Sequence, residues 1–463
     1  MLLYFCSTLE TITQNLIQKY NVAGPRYTSY PTVPYWDENL NTETWLSSVK
    51  ETFKISNIKE GISLYIHLPF CESLCTYCGC NKHITKNHAL EQPHLNFILK
   101  EWSMYTALLA EKPKIKELHL GGGTPTFFSP QNLKYFIEGI LNEAILSNNA
   151  ALSFEAHPGN TTMEHLIVLR SLGFTRISLG VQDFNPIVQK AIHRLQSFEQ
   201  TQEVTINARQ AGYDSINFDL IYGLPFQTLE SMIDTISKTI ELKPERIAFY
   251  SYAHIPWLKP SQRGYDENDL PLPAVKRALY ETGKELLINA GYVEIGMDHF
   301  AMPIDELYIA MQEKKLHRNF MGYTAAHTKL MIGLGVSSIS DAWNAFAQNV
   351  KTVKEYEALI GQNHWPFLKG HLLNKEDLIL RKHILNLMCN FKTDWSKQEN
   401  YCEHISLALE KLKETEADGL IRYTQHGLEV TKSGIPFVRN ICMAFDARLM
   451  RKAPQTNLFS STV

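Results

Sequence analysis

The stretch SLYIHLPFCESLCTYCGC, Ser63 to Cys80, joins a short β-rich apolar run to a loop carrying four of the chain's eight cysteines, Cys71, Cys75, Cys78 and Cys80. The run reads as a strand that stops at Pro69. Five more of the same character follow: ELHLGG from Glu117, ALSFEA from Ala151, RISLGV from Arg176, SINFDLIYG from Ser215 and RIAFYSYAH from Arg246. Between them lie longer segments, such as HLNFILKEWSMYTALLAE, MEHLIVLRSLG and LESMIDTISKTIEL, whose apolar residues recur at three- and four-residue steps. This alternation predicts an α/β fold with parallel strands and crossover helices, and six such units suggest a partial or complete barrel. A doubly wound sheet would alternate in the same way. Position favours the barrel: the cysteines follow Leu68, GGGTPT follows Leu120, and Glu155, Gln182, Asp219 and the Tyr252 to His254 stretch each end a run. In a barrel those ends share one face, where reactive groups collect.

The chain has 463 residues, enough for two or three domains, and its 44% hydrophobic content supports a sizeable core. A net charge of −3, with both signs scattered, gives no electrostatic reason to expect a nucleic-acid or anionic-membrane partner. The start, MLLYFCSTLETITQNLIQ, reads poorly as a signal peptide, and no window approaches a membrane span. A cytoplasmic, reducing location is therefore expected, and crowded thiols there are ligands rather than disulfides. Cys6, Cys389, Cys402 and Cys442 stand alone. We expect an N-terminal arm over 1–45, a barrel domain over 46–364 and a small, mainly helical, winged-helix-like domain over 365–463, where GLIRYTQHGLEVTKSGIPFVRNICMAF reads as strand, turn, strand and helix. The arm and the last domain are expected to close over the barrel mouth, in a monomer.

Three uses compete for the cysteine loop. A structural zinc site normally wraps the ion with two knuckles some 12–20 residues apart, which four thiols in ten residues do not provide. A dithiol redox pair needs only Cys75 and Cys78 and leaves Cys71 unexplained. An iron–sulfur cluster on Cys71, Cys75 and Cys78 uses the whole C-x3-C-x2-C spacing and leaves one iron open for chemistry. Gly121, Gly122, Gly123 and Thr124 allow close backbone approach to a ligand, but Pro125 and Thr126 break the register of a dinucleotide fingerprint.

C-x3-C-x2-C with Tyr77 before the third cysteine, at the end of the first barrel strand, resembles the signature of the radical S-adenosylmethionine (SAM) superfamily. The chain further resembles its oxygen-independent coproporphyrinogen III oxidase family, through GPRYTSYPT, SLYIHLPFC, CGCNK, HLGGGTPT, GVQDFN, DLIYGLP, YAHIP, GMDHFA, LHRNFMGYT and RNICMAFD. The resemblance implies a radical SAM partial (βα)6 TIM-like barrel and a [4Fe-4S] cluster on Cys71, Cys75 and Cys78. It implies a first SAM held by Tyr65, Gly122, Glu155 and Ile339, and a second by Tyr77, Gly123, Thr124, Gln182, Arg194, Asp219 and Ala253. Unaided, Tyr65 and Ile339 would read as core, and Glu155 as solvated surface. Where the family has Asp two residues after the Glu, this chain has His157. Cys80 is expected near the cluster but not on it.

The implied reaction is oxidative decarboxylation of two propionates of coproporphyrinogen III to vinyl groups, giving protoporphyrinogen IX in haem biosynthesis, with SAM cleaved to a 5'-deoxyadenosyl radical. The implied partners are this tetrapyrrole, a reductant and an electron acceptor. Arg26, Tyr27, Arg318 and His299 are candidates for the substrate's carboxylates. A haem-trafficking or haem-modifying relative is the first alternative, disfavoured by Cys80 and the GPRYTSYPT arm. A non-catalytic iron–sulfur or zinc-binding interaction protein is the second. A radical enzyme acting on RNA is disfavoured by the charge and by the lack of a basic appended domain.

Overall fold

The computed structural model describes residues 14–452, 459, 460 and 462; Cys6 and the apolar start lie outside the described residues. The chain divides into two compact units, one of residues 36–316 and 323–372, the other of residues up to 35, 317–322 and 373–463. The expected arm is divided between them: its residues up to 35 fall with the C-terminal domain and those from 36 on with the barrel.

In the first unit all six expected strands form: β1 (Ile62–Leu68), β2 (Lys114–Gly122), β3 (Ile145–Ala156), β4 (Arg176–Gln182), β5 (Ser215–Tyr222) and β6 (Arg246–Ser251). They lie side by side in chain order, every neighbouring pair parallel. The sheet extends further at both ends. Beyond β6 come β8 (His299–Ala301) and then β7 (Val293–Gly296), both antiparallel to their neighbours. Beyond β1 come β9 (Met331–Leu334), parallel to it, then β10 (Ile339–Asp341), β11 (Ala345–Asn349) and β12 (Phe367–Leu372). β12 and β7 are the two edges of this twelve-stranded sheet, so the barrel is partial. The added strands have three to six residues, too few to show a period.

All but one of the helices that follow start at a side-chain cap. α1 (Thr42–Lys59) is capped by Asn41, α2 (Glu91–Thr106) has no side-chain cap, and α3 (Pro130–Asn142) combines a Ser129 cap with Pro at its first position. α4 (Met163–Ser171) opens on a Thr162 capping box, as α6 (Phe198–Gln210) does on Ser197 and α7 (Leu229–Leu242) on Thr228; α5 (Pro186–Ala191) is capped by Asn185.

The strands alternate over most of their length. Leu64, Ile66, Leu118, Leu120, Leu152, Phe154, Ile177, Leu179, Ile216, Phe218, Ile247 and Phe249 are buried in one core with the helices. Their sequence neighbours, on the opposite sheet face, are polar: Tyr65 and His67, His119, Ser153 and Glu155, Ser178, Asn217 and Asp219. Each fully buried Leu, Ile or Phe contributes roughly 1.5–3 kcal/mol, so the apolar face carries stability and leaves the inner face for chemistry.

In the second unit Lys392–Asp394, Ile421–Thr424 and Gly427–Val430 form a three-stranded antiparallel sheet beside the helices Lys375–Asn390, His404–Ala417 and Val438–Ala444. The strand–turn–strand–helix read from Gly419 to Phe445 is present; the strand at Lys392 was not foreseen. The arm up to residue 35 is built into this unit. Tyr27 is buried and donates its hydroxyl to Asp446 Oδ2 at 3.1 Å, Arg439 Nε donates to Pro25 O at 3.0 Å, and Asn440 Nδ2 donates to Tyr20 O at 2.8 Å. Arg318 donates to Arg26 O at 3.4 Å in the same unit. No helix among the described residues is long and apolar enough to cross a membrane.

Candidate active site

The site is assembled at the C-terminal ends of β1 to β6. Pro69 ends β1, and the cysteine loop leaves from Phe70 with little regular structure of its own. Gly123 N–H donates to Leu68 O at 2.8 Å and Thr124 N–H to Phe70 O at 2.9 Å, which lays the glycine run against the start of the loop. A Cβ on Gly123 would sit 2.6 Å from the Pro69 carbonyl, and Gly122 has φ +112° with a Cβ position 2.7 Å from the His67 ring. Only glycine fits these two places. Thr124 Oγ1 lies 3.3 Å from Cys71 Sγ.

Cys71 is partly buried, Cys75 buried, Cys78 partly buried and Cys80 exposed, and all are free thiols. Burial pushes the Cys71 thiol up to about 11, against the Thr124 hydrogen bond and reinforced by Cys78 and Cys75. A hydrogen bond from Cys80 holds Cys78 down to about 6 despite burial, with Lys82's charge helping. The thiolate is the form that binds iron.

Beside the loop stands a connected polar layer. His67 Nε2 donates to Asn81 O at 2.8 Å, so its Nδ1 accepts the Tyr65 hydroxyl at 3.1 Å; burial first, despite that carbonyl, keeps the imidazole neutral. The Tyr65 ring stacks on His119 at 6.0 Å. His119 Nε2 faces Glu155 Oε1 at 3.5 Å, and its Nδ1 lies 2.8 Å from Ser153 Oγ, which also accepts from Arg176 at 3.4 Å. Gly122 N–H donates to the other Glu155 oxygen at 3.1 Å. Burial opposes Glu155's charge, but His119 and Gly122 outweigh it and hold the carboxyl below its usual range. With 41% of its side chain still open, this carboxylate has room to receive a cation.

A second group lies across the mouth. Arg194 donates to Gly180 O at 2.6 Å and to Cys75 Sγ at 3.6 Å, while its buried Nε has no hydrogen-bond partner. Gln182, at the end of β4, is buried at φ +68°, a conformation a non-glycine residue adopts at a cost of about 1–3 kcal/mol and one that recurs at functional sites. Asp219 accepts from Ser178 Oγ at 3.1 Å and Asn217 Nδ2 at 2.9 Å; burial, then the charge of Glu155, pushes it up to about 6. Tyr77 packs on a buried cluster that includes Ile192, Ile221 and Tyr252, and Ala253 O accepts from Gln262 at 3.1 Å. Ile339 is half-buried on β10, its backbone against Gly333, the partner of Tyr65 across β1 and β9.

Most residues expected to hold the cluster or SAM lie at the barrel's strand ends or on the loops leaving them, whereas Tyr65 lies inside β1, Ile339 begins β10 and Arg194 follows α5. Of the substrate candidates, only His299 is in this unit, its ring edge-on to Tyr250 at 5.7 Å and Tyr323 at 5.3 Å; Tyr27 is committed to Asp446 in the other. His157 explains the departure after Glu155: its Nδ1 accepts the Gly159 N–H at 3.0 Å, the capping bond a carboxylate there would make. Burial and Arg194's charge lower it to about 3, so it adds no charge. Sequence reading missed His67, His119, Ser153, Ser178 and Asn217. Period-two spacing from Tyr65, Glu155 and Asp219 points to most of them.

The thiols, the open carboxylate and the unpartnered guanidinium nitrogen suit a cluster with an adenosyl amino acid beside it. Among the described residues no three His, Cys, Asp or Glu side chains converge as a single-ion site.

Known proteins agree. The radical SAM superfamily pattern matches residues 65–239. An oxygen-independent coproporphyrinogen III oxidase of Helicobacter pylori is 40% identical over 450 residues, covering 95% of this chain and 98% of the relative. That of Synechocystis is 39% identical over 469 residues, covering 99% and 100%. The solved structure of coproporphyrinogen III oxidase from Escherichia coli, described as a radical SAM enzyme, superposes with a TM-score of 0.87 at 36% identity, covering 92% of this chain and 98% of that one.

Proposed function

The chain belongs to the oxygen-independent coproporphyrinogen III oxidase family of the radical SAM superfamily, and on that premise we propose how its residues share the work. The protein is a radical SAM oxidoreductase of haem biosynthesis that oxidatively decarboxylates coproporphyrinogen III. The observation that carries this is the near-full-length match to enzymes of that activity, with the cysteine loop at the end of β1. Bound cluster and SAM supply the 5'-deoxyadenosyl radical that breaks an unactivated C–H bond, which acid–base side chains do not do. The protein binds, orients and excludes water.

Cys71, Cys75 and Cys78 hold the cluster, each as thiolate. Glu155, with one donor on each oxygen, accepts the ammonium of the first SAM, and Gly122 brings backbone to it. Tyr65 supplies a ring whose hydroxyl is pinned by neutral His67, and Ile339 an apolar contact. Arg194 offers its unpartnered Nε to the carboxylate of a second SAM, and Asp219 takes its ribose hydroxyls or ammonium, with Tyr77, Gly123, Thr124, Gln182 and Ala253 as the remaining wall. Two propionates become vinyl groups and the product is protoporphyrinogen IX. The reductant and the electron acceptor are separate molecules, and the chain acts as a cytoplasmic monomer.

Anaerobic incubation of reconstituted protein with coproporphyrinogen III, SAM and a reductant is expected to give protoporphyrinogen IX and 5'-deoxyadenosine; formation of neither by cluster-loaded protein overturns the reading. Glu155→Gln removes one charged hydrogen bond worth about 1.5–3 kcal/mol, so SAM should bind roughly 10- to 100-fold more weakly with iron content unchanged, as read by equilibrium binding. Asp219 is neutral below about 6 and ionised above it. Affinity for SAM is accordingly expected to fall as the pH drops through 6, and Asp219→Asn should flatten that profile.

A further inference from the structure

Between Cys75 and Cys80 the loop forms no helix or strand, yet four successive carbonyls are each taken by a side chain. Ser261 Oγ donates to Thr76 O at 3.1 Å, Gln262 Nε2 to Tyr77 O at 3.4 Å, Lys82 Nζ to Cys78 O at 3.2 Å and Lys259 Nζ to Gly79 O at 2.8 Å. Three of the four donors come from 259–262. That segment is braced in turn by Gln262, buried, which accepts the Ile255 N–H at 2.6 Å and donates to Ala253 O at 3.1 Å.

Holding a carbonyl also aims an amide. In a trans peptide the C=O and the following N–H point in opposite directions, so whatever takes the Gly79 carbonyl decides where the Cys80 N–H faces. The Gly79–Cys80 peptide lies one peptide beyond Cys78, and the Lys259 ammonium sits on its carbonyl and carries the charge.

We propose that Lys259 is a positioning residue that raises the reduction potential of the cluster, by fixing the Gly79–Cys80 peptide of the cysteine loop and by placing a positive charge one peptide away from Cys78. Reduction adds negative charge at the cluster, and a nearby cation favours the reduced form. Lys82 and Arg194 contribute charge from other sides, but neither takes the Gly79 carbonyl. The inference rests on Cys78 being a ligand and needs no decarboxylation activity.

The test is a redox titration, followed by electron paramagnetic resonance, of anaerobically reconstituted full-length protein. In Lys259→Met the reduced-to-oxidised ratio at a fixed potential is expected to drop about tenfold, a midpoint roughly 59 mV more negative for one electron, with iron and sulfide per chain unchanged. Lys259→Arg should restore most of the shift, and Ser261→Ala, which removes a neutral donor from a different carbonyl, should leave the midpoint in place. An unchanged midpoint in loaded Lys259→Met overturns the proposal, as does an equal shift in Ser261→Ala. Should Lys259→Met not load, Lys259→Gln keeps a donor without the charge and is expected to show part of the shift; no shift there overturns it too. Full iron loading by Cys78→Ser would fail differently, by removing the ligand assignment itself.

Discussion

Replacing any one of Cys71, Cys75 or Cys78 by serine is expected to abolish cluster binding and cut turnover by more than about 10³-fold, since the rate enhancement is supplied by the bound group rather than by side-chain acid–base chemistry. The oxygen of serine is a harder and far less acidic donor than the thiolate it replaces. The loss should be local. The loop is pinned through backbone carbonyls by Ser261, Gln262, Lys82 and Lys259, none of which depends on a cysteine side chain, so thermal unfolding of the metal-free protein should move little. Cys80→Ser is the contrast: it should keep iron, sulfide and the visible absorbance, because three thiolates suffice and a fourth would close the iron that SAM needs. Loss of absorbance in Cys80→Ser, or its retention in Cys75→Ser, would reverse the ligand assignment. Iron and sulfide analysis of the four variants decides it.

The second large effect is expected at Arg194. Its guanidinium is anchored on Gly180 O, touches the Cys75 sulfur and keeps a buried Nε without a partner, an arrangement that costs stability unless a ligand supplies the acceptor. Truncating one member of a buried charged pair typically costs about 2–5 kcal/mol, so Arg194→Met should lose a factor of roughly 30 to 5,000 in turnover. If that partner is the carboxylate of a second SAM, the number of SAM molecules bound per chain should fall from two to one, with the cluster and the first molecule retained. Unchanged stoichiometry and turnover in Arg194→Met would remove Arg194 from the binding wall. Because His157 is held neutral near it, restoring an Asp at that position, His157→Asp, supplies an internal acceptor that competes with the ligand.

Much of this site is readable from local order alone. Strand alternation is dictated by backbone geometry, so β1 to β6 and the helices between them follow from residue type and spacing. The chemistry of the cysteine loop follows from four thiols within ten residues, a pattern few metals use. The helix ends follow from Thr162, Ser197 and Thr228, each satisfying backbone N–H groups the helix cannot.

Other features required distant segments to meet. The neutral tautomer of His67 depends on Asn81, fourteen residues on, and the state of Glu155 on His119 and Gly122 from a neighbouring strand. The grip on Thr76, Tyr77 and Gly79 comes from residues about 180 positions away, and no spacing rule connects them. The same holds for the arm, whose Tyr27 meets Asp446 across 419 positions and so belongs with the C-terminal unit. Residue type and period therefore determined which strands form and which of their residues turn inward, because strand geometry is local. Which of them are charged, oriented or already bonded was decided by tertiary packing, because hydrogen bonding and burial depend on neighbours that the chain brings from far away.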